Sequence, residues 1–306
     1  MASQLFKFKF SKTKPFGEGS DPSSTGTEDR TKLSDSTFVE LRDVIYKLCG
    51  IYYTESKKYL LEGRIAKRID ARNLNSFEEY VELLKSPYNR QEMKDLFEVI
   101  TINETYFFRA YQQFEAFETV IVPEVIEQRQ KLPSPTIKIW SSASSTGEEP
   151  YTIAIIILER LRHLYPRVNF QILASDISNV VIENAKRGIY KEYSVRNIPP
   201  FILKKYFTQS GNTYTINDEV KRLVKFTSMN LYDPIAIKAV SSCDVIFCCN
   251  VLIYFDIPSK QQVVSNLYDA MNKGGYLFIG YSESLHGISK AFKLVHLPKA
   301  MAYKKE

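Results

Sequence analysis

The sequence predicts an α/β fold: a mostly parallel sheet between helices, preceded by an all-helical domain and closed by a terminal antiparallel hairpin. Three observations carry this expectation. Residues 36–100 hold only helix-period patterns punctuated by cap signals. From Ile137 onward, short apolar runs alternate with helical patterns, the rhythm of strands joined by crossover helices. The chain ends in two strand-like runs, FKLVHL and MAYKK, close enough to pair as a hairpin.

Length and charge bound the rest. A chain of 306 residues can bury a large core and divides naturally into two domains. Residues 1–35, rich in Gly, Ser, Thr and charge, read as a disordered tail; its FKFKF segment is left unassigned. No apolar run approaches the length of a membrane span, and the N-terminus lacks the apolar core of a signal peptide, so a cytoplasmic protein with no membrane insertion is expected. A net charge of +6 permits an acidic partner without indicating nucleic acid. Cys49, Cys243, Cys248 and Cys249 have no C-x-x-C spacing, and His163, His286 and His296 are scattered, so no metal site is expected.

The helical domain, residues 36–100, begins at SDSTFVELRDVIYKLCG, which starts with cap-type residues and stops at Gly50. In the second helix Leu61, Ile65 and Ile69 recur every four positions, and Lys57, Arg64, Arg68 and Arg72 project to nearly one side. No acids are interleaved at i+4, so this basic stripe is a candidate surface for an acidic partner; a solvated face is the plain alternative. A third helix opens with a capping box, Ser76 to Glu79, and a fourth spans Asn89–Ile100.

Residues 101–118 join this domain to the α/β domain of residues 119–306. Asn103, Thr105 and Arg109 stand among Tyr106, Phe107, Phe108 and Tyr111, so the linker is expected to pack, as a hinge or as one wall of a ligand crevice. The strand Ile137–Trp140 then runs into SSASSTGEEP and a helix from Tyr151. Strand, small-residue turn and helix open the ligand crevice of a parallel sheet. A dinucleotide site would need G-x-G-x-x-G to cradle phosphates. Here only Gly147 is present, and Glu148 and Glu149 stand where phosphates would lie. That turn suits a nucleoside ligand bearing an amino group or a sulfonium; an ordinary strand–helix turn with capping acids remains the alternative. The next strand ends in Asp176, placed to accept from ribose hydroxyls; the plain alternative is a helix N-cap at Asp176 or Ser178. Residues 190–226 break the rhythm with two prolines and an SGN turn before TYTI, which reads as an inserted antiparallel β subdomain. Strands then resume toward Asn230 and Leu231, through Asp244–Cys248 to Asn250 and Tyr254, and at Tyr276–Ile279. One strand–helix series with a closing hairpin is the plan of a seven-stranded, Rossmann-like class I methyltransferase sheet rather than a dehydrogenase.

TINETYFFR, WSSASSTGEEPYTIA, ASDIS, FTSMNL, FCCNVLIYFD and GGYLFIGYSESL, in that order, closely resemble the chemotaxis receptor methyltransferase family, the CheR-type protein-glutamate O-methyltransferases. The resemblance covers residue 36 to the C-terminus. It implies an enzyme that transfers a methyl group from S-adenosylmethionine to glutamates on the cytoplasmic helices of chemoreceptors, leaving S-adenosylhomocysteine. By motif, it implies a cofactor site of Asn103, Thr105, Arg109, Glu149, Asp176, Asn230, Leu231, Cys249 and Asn250, with Glu149 at the methionine amino end and Asp176 at the ribose. It places Arg109 and Tyr254 nearest the methyl group; with a receptor as the acidic partner, the basic stripe of Lys57, Arg64, Arg68 and Arg72 is expected to bind it. A monomer is expected. A glutamate carboxylate is already ionised near neutrality, so no general base is needed; Arg109 would steer it and Tyr254 orient it. Two positions depart from the pattern. Cys249 replaces the usual Arg of FCRNVLIYF, and Tyr281 stands where His is common. The short turn TQSGNTY suggests that the subdomain does not bind a receptor tail. A docking protein that lost efficient chemistry at Cys249, or a methyltransferase for another protein target, are the competing readings.

Overall fold

The computed structural model describes residues 32–86, 88–129 and 134–306. Most of the expected tail lies outside them, but its last residues belong to the helical unit. Leu33 is buried, and Ser34 Oγ accepts the Thr37 N–H at 3.1 Å to cap α1 (Asp35–Cys49). Helices α2 (Lys58–Ala71), α3 (Phe77–Lys85) and α4 (Arg90–Ile100) complete this unit. The four-residue recurrence of Leu61, Ile65 and Ile69 faces Phe38, Leu41, Ile45, Tyr80 and Leu96 in one core. Each such side chain removed from water contributes about 1.5–3 kcal/mol. Ser76 caps α3 through the Glu79 N–H, whereas the Glu79 carboxylate accepts from Asn75, one residue beyond the box partner.

Residues 101–106 belong to no helix or strand, and 107–110 turn. The second half of the linker is helical: α5 (Tyr111–Ala116) runs through a π-helical turn at Phe117–Ile121 into α6 (Val122–Gln128). Its aromatic residues explain this. Phe107, Phe114 and Phe117 are buried in the main core, and the last two lie 5.6 and 5.5 Å from the Phe247 ring.

The α/β unit then runs β1 (Thr136–Ser141), α7 (Glu148–Ile156), α8 (Arg162–Leu164), β2 (Asn169–Asp176) and α9 (Asn179–Arg187). The insertion follows as β3 (Ile189–Lys191), α10 (Glu192–Val195), α11 (Pro200–Tyr206), β4 (Phe207–Ser210), β5 (Thr213–Ile216) and α12 (Asp218–Lys221). The main series resumes with β6 (Val224–Ser228), α13 (Pro234–Ile237), β7 (Cys243–Cys248), α14 (Ile257–Ala270) and β8 (Met271–Ile279). The hairpin β9 (Phe292–Leu297) and β10 (Ala300–Lys305) closes the chain. The main sheet has the order β6-β2-β1-β7-β8-β10-β9, parallel except at β10, which inserts antiparallel beside β8. The insertion forms a separate antiparallel sheet, β3-β5-β4.

Two features position a site. Strand order reverses between β1 and β7, which opens a crevice beyond their C-terminal ends. The helical unit docks across that crevice. Ile51 bridges Phe255, the Tyr52 N–H donates to the Tyr254 carbonyl at 3.1 Å, and Asn230 Nδ2 donates to the Leu48 carbonyl at 2.8 Å. Gly50 lets α1 stop there: at φ 74° it is left-handed, and a Cβ would meet the Tyr232 ring at 2.6 Å.

Candidate active site

The crevice encloses about 1110 Å³, open solvent at its mouth included. Its floor comes from the ends of β1, β2, β6 and β7, and its roof from residues 100–114 together with Cys49 and Ile51 of the helical unit. Asn103, Thr105, Arg109, Glu149, Asp176, Asn230, Leu231, Cys249, Asn250 and Tyr254 all line it. Lys57, Arg64, Arg68 and Arg72 do not.

The turn after β1 is held in a tight form. Ser145 has φ 47°, and Gly147 has φ 94° with room for no Cβ, which would reach Ala185 at 2.9 Å. The two acids of the turn take different surroundings. Glu148 is buried away from the crevice and accepts from the Thr146 and Ser194 hydroxyls at 2.7 and 3.0 Å. Glu149 faces the crevice, accepts from Ser141 Oγ at 2.7 Å and lies against the Cys249 thiol. Desolvation pushes its carboxyl up to about 7, although Ser141, Cys249 and the charge of Arg109 pull the other way. No ion pair engages it among the described residues. A group of this kind favours an arriving cation.

Asp176 lies at the end of β2 and is fixed by backbone groups. Its Oδ2 accepts the Ser145 N–H at 2.8 Å and its Oδ1 the Ser178 N–H at 3.1 Å, while Ser178, not Asp176, caps α9. Burial raises its pKa against those backbone bonds. Each carboxylate oxygen retains a lone pair for a ligand hydroxyl. The Asn230 side chain is already engaged at both ends: its Nδ2 donates to the Leu48 carbonyl and its Oδ1 accepts the Tyr232 N–H. Cys249 touches Gln113 Oε1 at 3.7 Å, and burial pushes its thiol up, so it stays protonated.

Asn250 is left-handed, φ 62°, and is fixed by a residue that the sequence patterns did not single out. The Glu283 carboxylate accepts N–H groups from Gly280, Asn250 and Ile253 at 2.6, 2.9 and 3.2 Å. It ties the ends of β7 and β8 to the short turn Leu252–Tyr254 that carries Tyr254. Its signal in sequence is only an acid in a polar loop; backbone partners leave no pattern. Gln113 was also unmarked: it is buried, and its Nε2 donates to the Ile279 carbonyl at 2.6 Å.

Arg109 is presented by a strained loop. Its neighbours Phe108 and Ala110 have φ 57° and 58°, costly for residues with side chains. Three hydrogen bonds hold the loop: Phe107 N–H to the Ser194 carbonyl at 3.0 Å, Phe108 N–H to Thr152 Oγ1 at 3.1 Å, and Arg109 Nη1 to the Glu104 carbonyl at 2.7 Å. The Arg109 charge acts on both Glu149 and Tyr254. Burial raises the Tyr254 pKa, with Arg109 and Arg64 opposing, so its hydroxyl remains a donor. The crevice therefore presents an anion at its floor and a cation with a hydroxyl at its mouth.

The basic helix is differently disposed from its sequence pattern. Arg68 forks onto Glu92 at 2.9 and 2.7 Å and reaches Asp95 at 2.9 Å, and Arg72 approaches Glu92 at 3.4 Å. Arg64 donates to the Ile100 carbonyl at 2.6 Å and the Tyr53 hydroxyl at 3.1 Å. The acids missing at i+4 are supplied by α4. Lys57 is exposed. Among the described residues no group of three His, Cys, Asp or Glu side chains could hold a metal ion.

Comparison with known proteins gives a consistent result. The family model described as CheR methyltransferase, SAM binding domain, matches residues 103–301, and that described as CheR methyltransferase, all-alpha domain, matches residues 36–101. Chemotaxis protein methyltransferase 2 of Vibrio cholerae is 35% identical over 274 residues, which cover 89% of this chain and 94% of that protein. The chemotaxis protein methyltransferase of Borreliella burgdorferi is 35% identical, covering 80% and 86%. That of Salmonella typhimurium is 31% identical, covering 87% and 89%.

Proposed function

We infer the work of this crevice from one premise: the chain belongs to the CheR methyltransferase family. It is an S-adenosylmethionine-dependent methyltransferase of the chemotaxis type with the class I fold. We propose that it esterifies glutamates on the cytoplasmic helices of chemoreceptors, acting in the cytoplasm as a monomer. The observation that carries the site assignment is Glu149, a desolvated carboxylate facing the crevice without an ion-pair partner among the described residues. It fits an amino group and repels a phosphate, and the turn it stands on has no phosphate cradle.

Bound, the cofactor supplies an electrophilic methyl group on a sulfonium. In this reading Glu149 holds the amino group of its methionine end. Asp176 accepts from the ribose hydroxyls, and the backbone at Asn230 and Leu231 borders the base. Asn103 and Thr105 cover the roof. Cys249 adds no charge, where the family pattern has a guanidinium; its protonated thiol leaves the Glu149 anion available to the ligand. Arg109 draws the acceptor carboxylate to the mouth, and the Tyr254 hydroxyl orients it. Neither group takes a proton. Their contribution is alignment and exclusion of water, which for a charged nucleophile meeting a sulfonium is most of the task.

Calorimetric titration with S-adenosylmethionine, combined with labelled methyl transfer to purified chemoreceptor cytoplasmic fragments, tests this reading. Binding and transfer to glutamate are expected. Arg109→Ala and Tyr254→Phe should each lose turnover by roughly 10²-fold, more than they lose cofactor affinity. Asp176→Ala should lose affinity instead. Cofactor binding without transfer to any receptor fragment would refute the receptor assignment.

A further inference from the structure

A second arginine, in the inserted subdomain, stands against Tyr106, which lines the crevice. Arg196 follows α10, and its guanidinium carbon lies 3.7 Å from the ring centroids of both Tyr106 and Tyr193. Its Nη1 donates to the Tyr193 carbonyl. The Tyr193 hydroxyl donates to Glu104 Oε1 at 2.8 Å, and the two rings meet edge-on at 6.4 Å. An exposed arginine ordinarily samples many rotamers, and ordering it costs entropy. Here two ring faces and a carbonyl hold it in advance. Arg109 approaches the same Tyr106 ring, at 5.7 Å. Among the described residues neither arginine has a carboxylate within ion-pair distance, in contrast to Arg68.

The geometry points to a function for this pair. Because both guanidinium carbons are measured from one ring centroid, they lie within about 10 Å of each other. An α-helix rises about 5.4 Å per turn, so acids three or four residues apart are about one turn from each other and acids seven apart about two. We propose that Arg196 binds a second carboxylate on the acceptor helix, one or two turns from the glutamate that Arg109 receives, and so selects acidic-flanked sites. The inference rests on the acceptor being a glutamate of a helical receptor segment. A planar guanidinium stacked on aromatic faces keeps its edge N–H groups for a carboxylate, which a lysine could not do as well.

The test is a double-mutant cycle on methyl transfer. Wild type and Arg196→Ala, Arg196→Lys and Arg196→Glu are assayed on a receptor cytoplasmic fragment. The same enzymes are assayed on fragments in which each acid within two turns of the methylated glutamate is replaced by glutamine, one at a time. Arg196→Ala should lower kcat/KM about tenfold through KM, with S-adenosylmethionine affinity unchanged by calorimetry. One of the glutamine fragments should cost the wild type a similar factor and cost Arg196→Ala nothing further. Arg196→Glu should be worse than alanine, and Arg196→Lys should recover only part of the loss. Additive effects in the cycle, or an unchanged KM in Arg196→Ala, would overturn the proposal while the receptor assignment stood. Absence of transfer by the wild type with cofactor bound would overturn both.

Discussion

At the scale of single residues, Glu149 and Cys249 set the electrostatics of the cofactor end. With its carboxyl raised to about 7, Glu149 is partly protonated at neutral pH before a ligand arrives. An ammonium binds the ionised form, so below pH 7 binding must expel a proton, and apparent affinity should fall about tenfold per unit. On the alkaline side the ligand's own α-amino group, with an ordinary pKa of about 7.7–8.0, loses its charge. Calorimetry across pH 5.5–9, a range of about the width that these two pKa values require, should therefore give a bell whose acid limb belongs to Glu149. Glu149→Gln should abolish that limb and weaken binding at its maximum. Cys249→Arg, which places a cation beside Glu149, should move the acid limb to lower pH. A limb unchanged in both variants would assign it elsewhere. The sequence made the charge type of this turn legible, because two acids and one glycine cannot cradle phosphate. The turn's own pattern did not separate the two acids, and only the family resemblance named Glu149. Glu148 and Glu149 are adjacent and identical, and only the packing of Ser194 against one and Ser141 against the other separates them.

At the scale of elements, helix α2 shows how a surface pattern can conceal ion pairs made to a distant helix. Its buried stripe was legible from the four-residue recurrence, and Leu61, Ile65 and Ile69 are all in the core. Its cations looked uncompensated because their acids lie in α4, more than 20 positions away, where no helical periodicity records them. Glu92 is buried and accepts from Arg68 and from the Tyr80 hydroxyl at 2.7 Å. Removing Arg68 leaves a buried carboxylate short of its main partner, which typically costs about 3–5 kcal/mol. Arg68→Ala should therefore lower the denaturation midpoint sharply, whereas Lys57→Ala, on an exposed side chain, should not. Receptor affinity lost in Arg68→Ala in proportion to the folded fraction would mark a structural residue; loss at full folding would mark a residue of the receptor surface. The linker was legible as packed because of its aromatic content. Its helix was not, since phenylalanines crowded on one short segment suit strand, turn and helix alike until Phe247 is found opposite them. Glu283 was illegible for a related reason: all its partners in the clamp are backbone N–H groups.

At the scale of the whole molecule, the crevice is a space between two units, and its geometry depends on how the helical unit seats. The order of motifs along the chain implied the sheet and the floor of the site. It said nothing of Cys49 and Ile51 in the roof, because they arrive through docking rather than through the strand–helix rhythm. Gly50 is where that docking can be tested. A methyl group there meets the Tyr232 ring at 2.6 Å and must hold φ 74°. Gly211, in the β4–β5 turn, has φ 56° but open space around it, so alanine there carries the backbone penalty alone. Both substitutions should reduce stability, by about 1–2 kcal/mol for the left-handed backbone. Only Gly50→Ala should also push α1 away from Tyr232 and loosen the Leu48–Asn230 and Tyr52–Tyr254 contacts beside the crevice. In wild type, S-adenosylmethionine at a hundred times its Kd should add about 2.7 kcal/mol of stability. At that same fixed concentration Gly211→Ala should gain as much, and Gly50→Ala distinctly less. Thermal melts with and without cofactor read this directly. Equal gains in the two variants would mean that the seat of the helical unit does not shape the cofactor site, and that the roof is supplied by residues 100–114 alone.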